Sequence, residues 1–277
     1  MKTFRLVLIV IFSFLLVGSV FGAARQTRQL NVHFLNVGQA DSILIQTPNR
    51  QTVLIDAGTH DAGWSVVKYL LALKIKRIDV LIATHPHEDH IGGMPEIINS
   101  FTIGQVYMPK VGHNTRAFED TLQAIQAKGL KINTAKAGLA LRIDPALNTE
   151  FLGPNETEYE DLNDCSAVLK LTYGKTSFLF MGDAGKVAER QILQAGFNVK
   201  ADVLKVGRHG SNAATTGEFL NIVTPAYAII SVGAHNDFGL PSKNMVARLK
   251  KMGVRYFRTD ENGTVVIRSD GQKISFM

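Results

Sequence analysis

Three imidazoles and a carboxylate fall within six residues in His85-x-His87-x-Asp89-His90. These are the side chains that borderline divalent metals such as zinc and manganese take as ligands. They follow directly on the apolar run 78–83, which reads as a buried strand. The chain is therefore irregular where the ligands sit and can wrap them from two directions. Alternate spacing puts His85 with His87, while Asp89 and His90 can turn to a second position. Gly92-Gly93 then lets the backbone pass close to the site before the next helix. The competing reading is a solvated histidine-rich loop. Four such residues beside an apolar strand count against it.

A site for two ions needs a bridging carboxylate and ligands from elsewhere. Asp183 ends the apolar run Phe180-Met181-Gly182, where an aspartate could equally be a helix cap. His209 follows Val203-Leu204-Lys205-Val206-Gly207, and alone it could be an ordinary core histidine. The same arrangement, a polar residue just past a strand, recurs along the chain, which sharpens both readings. Asp56, after Leu54-Ile55, is a further case and is expected to orient a ligand histidine by a hydrogen bond rather than to touch metal.

The elements that must position these residues alternate short apolar runs with helical stretches, the pattern of an α/β fold. Strands are predicted over 30–35, 42–46, 52–55 and 78–83, and helices over 64–73, 94–101 and 115–128. The second half repeats the rhythm. A hairpin over 167–173 and 177–181 precedes a helix over 186–195, a strand over 202–206 and a helix over 218–223. A strand over 226–232, a helix over 243–252 and strands over 255–258, 264–268 and 273–276 complete it. Each half places a histidine motif after a strand, so two sheets back to back with helices outside are expected. No linker divides them, so residues 30–277 read as one domain.

Of 277 residues, 45% are hydrophobic and 19% charged, which excludes a disordered, collagen-like or coiled-coil chain. The lone cysteine, Cys165, excludes an intramolecular disulfide and a cysteine zinc cluster, so no disulfide partner is required. It reads as a small buried hydrophobe. A net charge of +6 permits a polyanionic partner without demanding one. Residues 1–24 have the order of a secretory signal peptide, with Lys2 and Arg5, an apolar run over 6–20, then Gly22, Ala23 and Ala24. Cleavage there would leave a secreted protein with no stable membrane span. Retention of the segment would tie the protein to the cell envelope.

Taken in order, Asp56, His85-x-His87-x-Asp89-His90, Asp183 and His209 resemble the metallo-β-lactamase fold. Three segments, and the final Thr259-Asp260-Glu261-Asn262-Gly263-Thr264, are more specifically similar to the hydrolase domain of the ComEC competence proteins. The three are Phe34 to Ser42, Asn163 to Gly182, and Leu204-Lys205-Val206-Gly207-Arg208-His209-Gly210-Ser211. The membrane channel that accompanies that domain in competence proteins is absent from this sequence, and a stand-alone, exported relative is expected. The resemblance implies a four-layer αββα sandwich of two mixed sheets. It also implies one or two divalent ions, zinc or manganese, and hydrolysis of a phosphodiester, with DNA the favoured polymer.

Three departures stand out. No histidine lies between His113 and Asp183 to serve as the third imidazole usual in the wider fold, and Asn163, Asp164 and Ser166 occupy that region. Arg208 replaces the first histidine of a His-His-Gly-Ser motif. Leu240 stands where Gly-His-Pro is usual, and nearby His235 reads as a surface residue.

The expected site has one ion on His85, His87 and Asp183 and a second on Asp89, His90, Asp183 and His209. Asp89 is expected to orient the attacking water and shuttle its proton. Arg208 would clamp phosphate, with Ser211 and Asn212 donating to the same anion. Lys205 reads as packed by its stem on its strand. The helical basic residues near the C-terminus, Lys243, Lys250 and Lys251 among them, read first as a solvated face. Two alternatives stay open: a metallohydrolase of a small ester, lactone or lactam, and a non-catalytic DNA-binding relative.

Overall fold

The computed structural model describes residues 29–277; the expected signal segment over 1–24 lies outside them. The chain opens with β1 (Leu30–Phe34), β2 (Ile43–Gln46) and β3 (Thr52–Ile55), followed by α1 (His60–Ala72) and β4 (Arg77–Ile82). Next come α2 (Glu88–Ile91), α3 (Met94–Ser100), β5 (Thr102–Met108), α4 (Arg116–Ala127), β6 (Ile132–Thr134) and β7 (Leu147–Phe151). The second half holds β8 (Leu169–Tyr173), β9 (Thr176–Phe180), α5 (Lys186–Gln194), β10 (Val203–Lys205), α6 (Gly217–Val223) and β11 (Tyr227–Ile230). It ends with α7 (Lys243–Lys251), β12 (Arg255–Arg258), α8 (Thr259–Asn262), β13 (Val265–Ser269) and β14 (Ile274–Phe276).

One sheet runs β14-β13-β1-β2-β3-β4-β5-β6 and the other β12-β11-β10-β9-β8-β7, both mixing parallel and antiparallel pairs. Alternation along the strands assigns each side chain to a layer. Ile43, Ile45, Val53, Ile55, Val80 and Ile82 point to a core between the sheets, where they meet Leu169, Leu171, Phe178 and Phe180. The intervening Leu44, Leu54 and Leu81 pack outward on Val66, Val67 and Leu70 of α1 and Ile97 of α3. On the far side Leu179, Leu204 and Ile230 pack on Ile192 of α5, Phe219 of α6 and Leu249 of α7. The layers are helix, sheet, sheet, helix, as expected.

Two differences from the sequence reading have physical causes. The strands β5, β6 and β7 were not anticipated. β5 is the parallel partner of β4, and its apolar alternation is interrupted by Gly104 and Gln105, while all three residues of β6 are exposed. The halves also do not keep to their own sheets. β13 returns to pair with β1, Phe34 opposite Val265, so the C-terminal hairpin belongs to the N-terminal sheet. A smaller shift is at α1, which begins at His60 because the Thr59 side chain accepts from the Ala62 amide and starts the helix early.

Candidate metal centre

Four of the residues sit just past the C-terminal end of a strand. Asp56 follows β3, His85 follows β4, Asp183 follows β9 and His209 follows β10. Asp89 and His90 lie on the single-turn helix α2. Its closing glycines permit a close approach: a Cβ on Gly93 would stand 2.7 Å from Gly63 Cα of α1 and would collide with the Ala57 carbonyl. The tight turn after β10 carries three consecutive left-handed residues, Arg208 (φ 53°), His209 (φ 50°) and Gly210 (φ 84°). That turn swings the His209 ring back over the strand ends.

The ligand-capable atoms of Asp89, His90, Asp183 and His209 all lie within 4.8 Å of one another. His209 Nε2 is 3.1 Å from Asp89 Oδ2 and 3.5 Å from Asp183 Oδ1. His90 Nε2 is 3.5 Å from Asp183 Oδ1 and 3.6 Å from Asp89 Oδ2. Alongside, His85 Nε2 faces Asp183 Oδ2 at 4.0 Å and His87 Nδ1 at 3.0 Å. The four histidines and two aspartates singled out in the sequence thus converge from distant stretches of chain. His85 and His87 lie beside the tight group of four, in contact with each other.

Two atoms at the centre, His90 Nε2 and Asp183 Oδ1, are buried without a hydrogen-bond partner. Burying such groups unpaired is costly, and a cation between them would satisfy both. The donor set, imidazole and carboxylate, fits a borderline divalent metal.

The electrostatics agree with that fit. Burial opposes charge on His90, but the carboxylates of Asp183, Asp89 and Asp56 outweigh it and raise its pKa. His209 is raised against burial by Asp183 and Asp89. Burial also works against the charged forms of Asp183 and Asp89, yet the facing imidazoles hold both well below the usual carboxylate range. His85, deeply buried, has its pKa lowered well below the ordinary histidine value, chiefly by desolvation.

Around the cluster a shell of hydrogen bonds fixes orientation. Asp56 Oδ2 is 2.8 Å from His90 Nδ1, and the same carboxylate accepts from the Thr84 amide (2.8 Å) and hydroxyl (2.7 Å). His209 Nδ1 lies 3.0 Å from the Ser231 carbonyl. The Asn163–Ser166 region, where a third histidine is usual, supports the site instead of supplying a ligand. Ser166 Oγ accepts from the Asp183 amide at 3.1 Å, and Asp164 Oδ1 accepts from Gly185 and Ala188 at the start of α5.

The residues expected at the substrate are differently placed. Arg208 Nη1 donates to Asp161 Oδ2 at 2.8 Å, so its guanidinium already has an acid. Asn212 Oδ1 accepts from Arg248 Nη2 at 3.0 Å, and Ser211 Oγ accepts from the Ala213 amide. Among the described residues none of the three bonds to the cluster. His235 is exposed, as read. The C-terminal basic run is partly consumed internally. Arg248 donates to the Thr215 carbonyl (2.6 Å), Arg258 pairs with Asp260 and Glu261, and Lys243, Lys250 and Lys251 form the solvated face.

Two residues were missed. Lys205 is fully buried, and more than its stem matters: Nζ is 2.7 Å from Asp41 Oδ2. The other Asp41 oxygen lies 3.6 Å from His209 Nδ1. A charged residue inside Val203-Leu204-Lys205-Val206 was the available signal, since a buried lysine needs an acid.

The fold and the cluster define a metallohydrolase scaffold, and sequence comparison agrees. Residues 35–235 match the Metallo-beta-lactamase superfamily, and the chain belongs to it; its members are in general metal-dependent hydrolases. The chain is 33% identical over 254 residues to ComE operon protein 3 of Bacillus subtilis, across 86% of this chain and 33% of that protein. It is 31% identical over 232 residues to Competence protein ComA of Neisseria gonorrhoeae, across 83% and 31%. It therefore spans about a third of the length of these curated relatives. Among solved structures it is similar to the metallo-beta-lactamase fold protein YhfI from Bacillus subtilis. That match has a TM-score of 0.59 at 15% identity and covers 87% of this chain and all of the other.

Proposed function

We propose that this chain is a metal-dependent phosphodiesterase or nuclease acting on DNA. The observation that carries the reading is the buried, unpartnered pair His90 Nε2 and Asp183 Oδ1 at the centre of four converging ligands. Likeness to competence proteins over most of the chain supports DNA as the polymer.

His85, His87 and Asp183 would hold one zinc or manganese ion, and Asp89, His90, Asp183 and His209 a second. A metal bound there would lower the pKa of a coordinated water to roughly 7 and so would supply hydroxide at neutral pH. Asp89 is the member of the set open to solvent, its side chain 32% exposed against 6% or less for Asp183, His90 and His209. Its carboxylate is therefore placed to accept a hydrogen bond from the attacking water and pass its proton on to solvent, while His209 Nε2, 3.1 Å away, holds it in place. Asp56 and Ser231 keep the His90 and His209 rings turned toward the centre. Arg208 would meet a phosphate by exchanging or sharing its Asp161 contact, with Ser211 and Asn212 beside it on the same turn. Residues 1–24 would direct export and be removed; among the described residues no helix is long and apolar enough to cross a membrane.

The test is metal analysis of the purified protein joined to a chelator-sensitive nuclease assay. Bound metal in the native protein, its loss in His87→Ala and Asp183→Ala, and cleavage that falls as salt rises are expected. Wild-type metal content in both variants would refute the ligand assignment. Salt-insensitive cleavage of small esters would refute DNA as substrate.

A further inference from the structure

No histidine between His113 and Asp183 completes the position that His85 and His87 begin. The fold brings one from the other direction. His113 lies in the loop joining β5 to α4, half-buried, with its ring centroid 5.8 Å from that of His87 and the planes at 67°. Two imidazoles sharing a tetrahedral ion at about 2.0–2.1 Å from each nitrogen have ring centres roughly 5–6 Å apart. Pairs within the cluster are spaced similarly, His85 and His87 at 4.7 Å and His90 and His209 at 5.3 Å.

The hydrogen bonding of His113 also matches that of His85, His90 and His209, while Nδ1 of His87 faces His85 Nε2 instead. His113 Nδ1 is 2.8 Å from Thr115 Oγ1. In the same way Nδ1 of His85 meets Thr84, Nδ1 of His90 meets Asp56, and Nδ1 of His209 meets the Ser231 carbonyl. Anchoring one ring nitrogen orients the other, which is how ligating histidines are usually held. Nε2 of His113 bonds to none of the described residues.

Building on the reading of the cluster as a metal centre, we propose that His113 is a further ligand of the ion held by His85 and His87. It takes the place left open by the segment before Asp183. This explains how a chain lacking the usual third imidazole can keep both positions.

The experiment is titration of the metal-free protein with Co²⁺, followed by calorimetry and by visible absorption. His113→Ala should weaken binding at one position at least tenfold and change the Co²⁺ spectrum. Thr115→Val should do so less, and His87→Ala should abolish that position. Because His113 lies on a loop, His113→Ala should keep the wild-type melting temperature without metal. His113→Gln, which keeps most of the side chain, serves if it does not. Wild-type affinity and spectrum in the His113 variants, with binding lost in His87→Ala, would overturn this assignment and leave the metal centre standing. That holds even if turnover fell, since His113 would then be touching substrate instead. Failure of the wild-type protein to bind Co²⁺ would overturn both.

Discussion

Asp56 Oδ2 and His90 Nδ1 face each other at 2.8 Å, with both side chains shut off from solvent. That contact turns His90 Nε2 toward Asp89 and Asp183. The backbone of Asp56 is left-handed, with φ at 57°, a conformation asparagine tolerates. Asp56→Asn should therefore fold while loosening the ring. Metal affinity is expected to drop about 10–100-fold, the usual cost of losing such a partner. Calorimetric titration of the metal-free variant measures it, and unchanged affinity would show that Asp56 serves only Thr84.

Lys205 and Asp41 form a buried ion pair beneath His209. Removing one partner strands the other charge. Lys205→Met should destabilise by about 3–5 kcal/mol, and Asp41→Asn combined with Lys205→Met should recover much of that loss. Urea unfolding of the single and double variants decides it. A double variant no more stable than Lys205→Met would mean that the pair is not the source of the cost.

Burial, then the nearby Asp164 and Asp161, push the Cys165 thiol up to about 12. At pH 8 only about one molecule in ten thousand would carry the reactive thiolate. The native protein should resist iodoacetamide for hours and take up one equivalent once unfolded in urea, as read by intact mass. Prompt labelling of the native protein would show that the thiol reaches solvent.

His33 lies on β1, its Nδ1 2.9 Å from the Tyr69 hydroxyl. Burial lowers its pKa from the ordinary 6.5, Gln46 opposes this, and Arg268 adds to it. Well above pH 6.5 the ring is neutral in both folded and unfolded chains. Below that, the unfolded chain takes up a proton that the folded one resists, so stability falls with pH. His33→Gln should lose less stability than wild type between pH 7.5 and pH 5, compared by urea midpoints. Equal losses would show that His33 contributes nothing to the acid limb.

Much of the site was legible because its chemistry is local. His85, His87, Asp89 and His90 share six residues, and Asp183 and His209 each follow an apolar run that could only be a strand. What escaped depends on partners distant in sequence. Lys205 looks like a misplaced charge until Asp41, far earlier in the chain, is brought to 2.7 Å. His113 sits in a loop whose own residues give no hint that His87 is beside it. In the fold, β2 and β3 announce themselves by apolar runs, and β4 by Val80-Leu81-Ile82. β6, wholly exposed, has no such pattern, and nothing in 265–269 says that it pairs with β1.

The turn that bears His209 has a bearing on how this protein could change over generations. Holding Arg208 and His209 in a left-handed backbone costs roughly 1–2 kcal/mol per residue for side chains of that kind. Glycine or asparagine would rest there more comfortably. Substitutions there would thus tend to make the fold hardier, and if His209 holds metal as proposed, its place in that turn exchanges some robustness for chemistry.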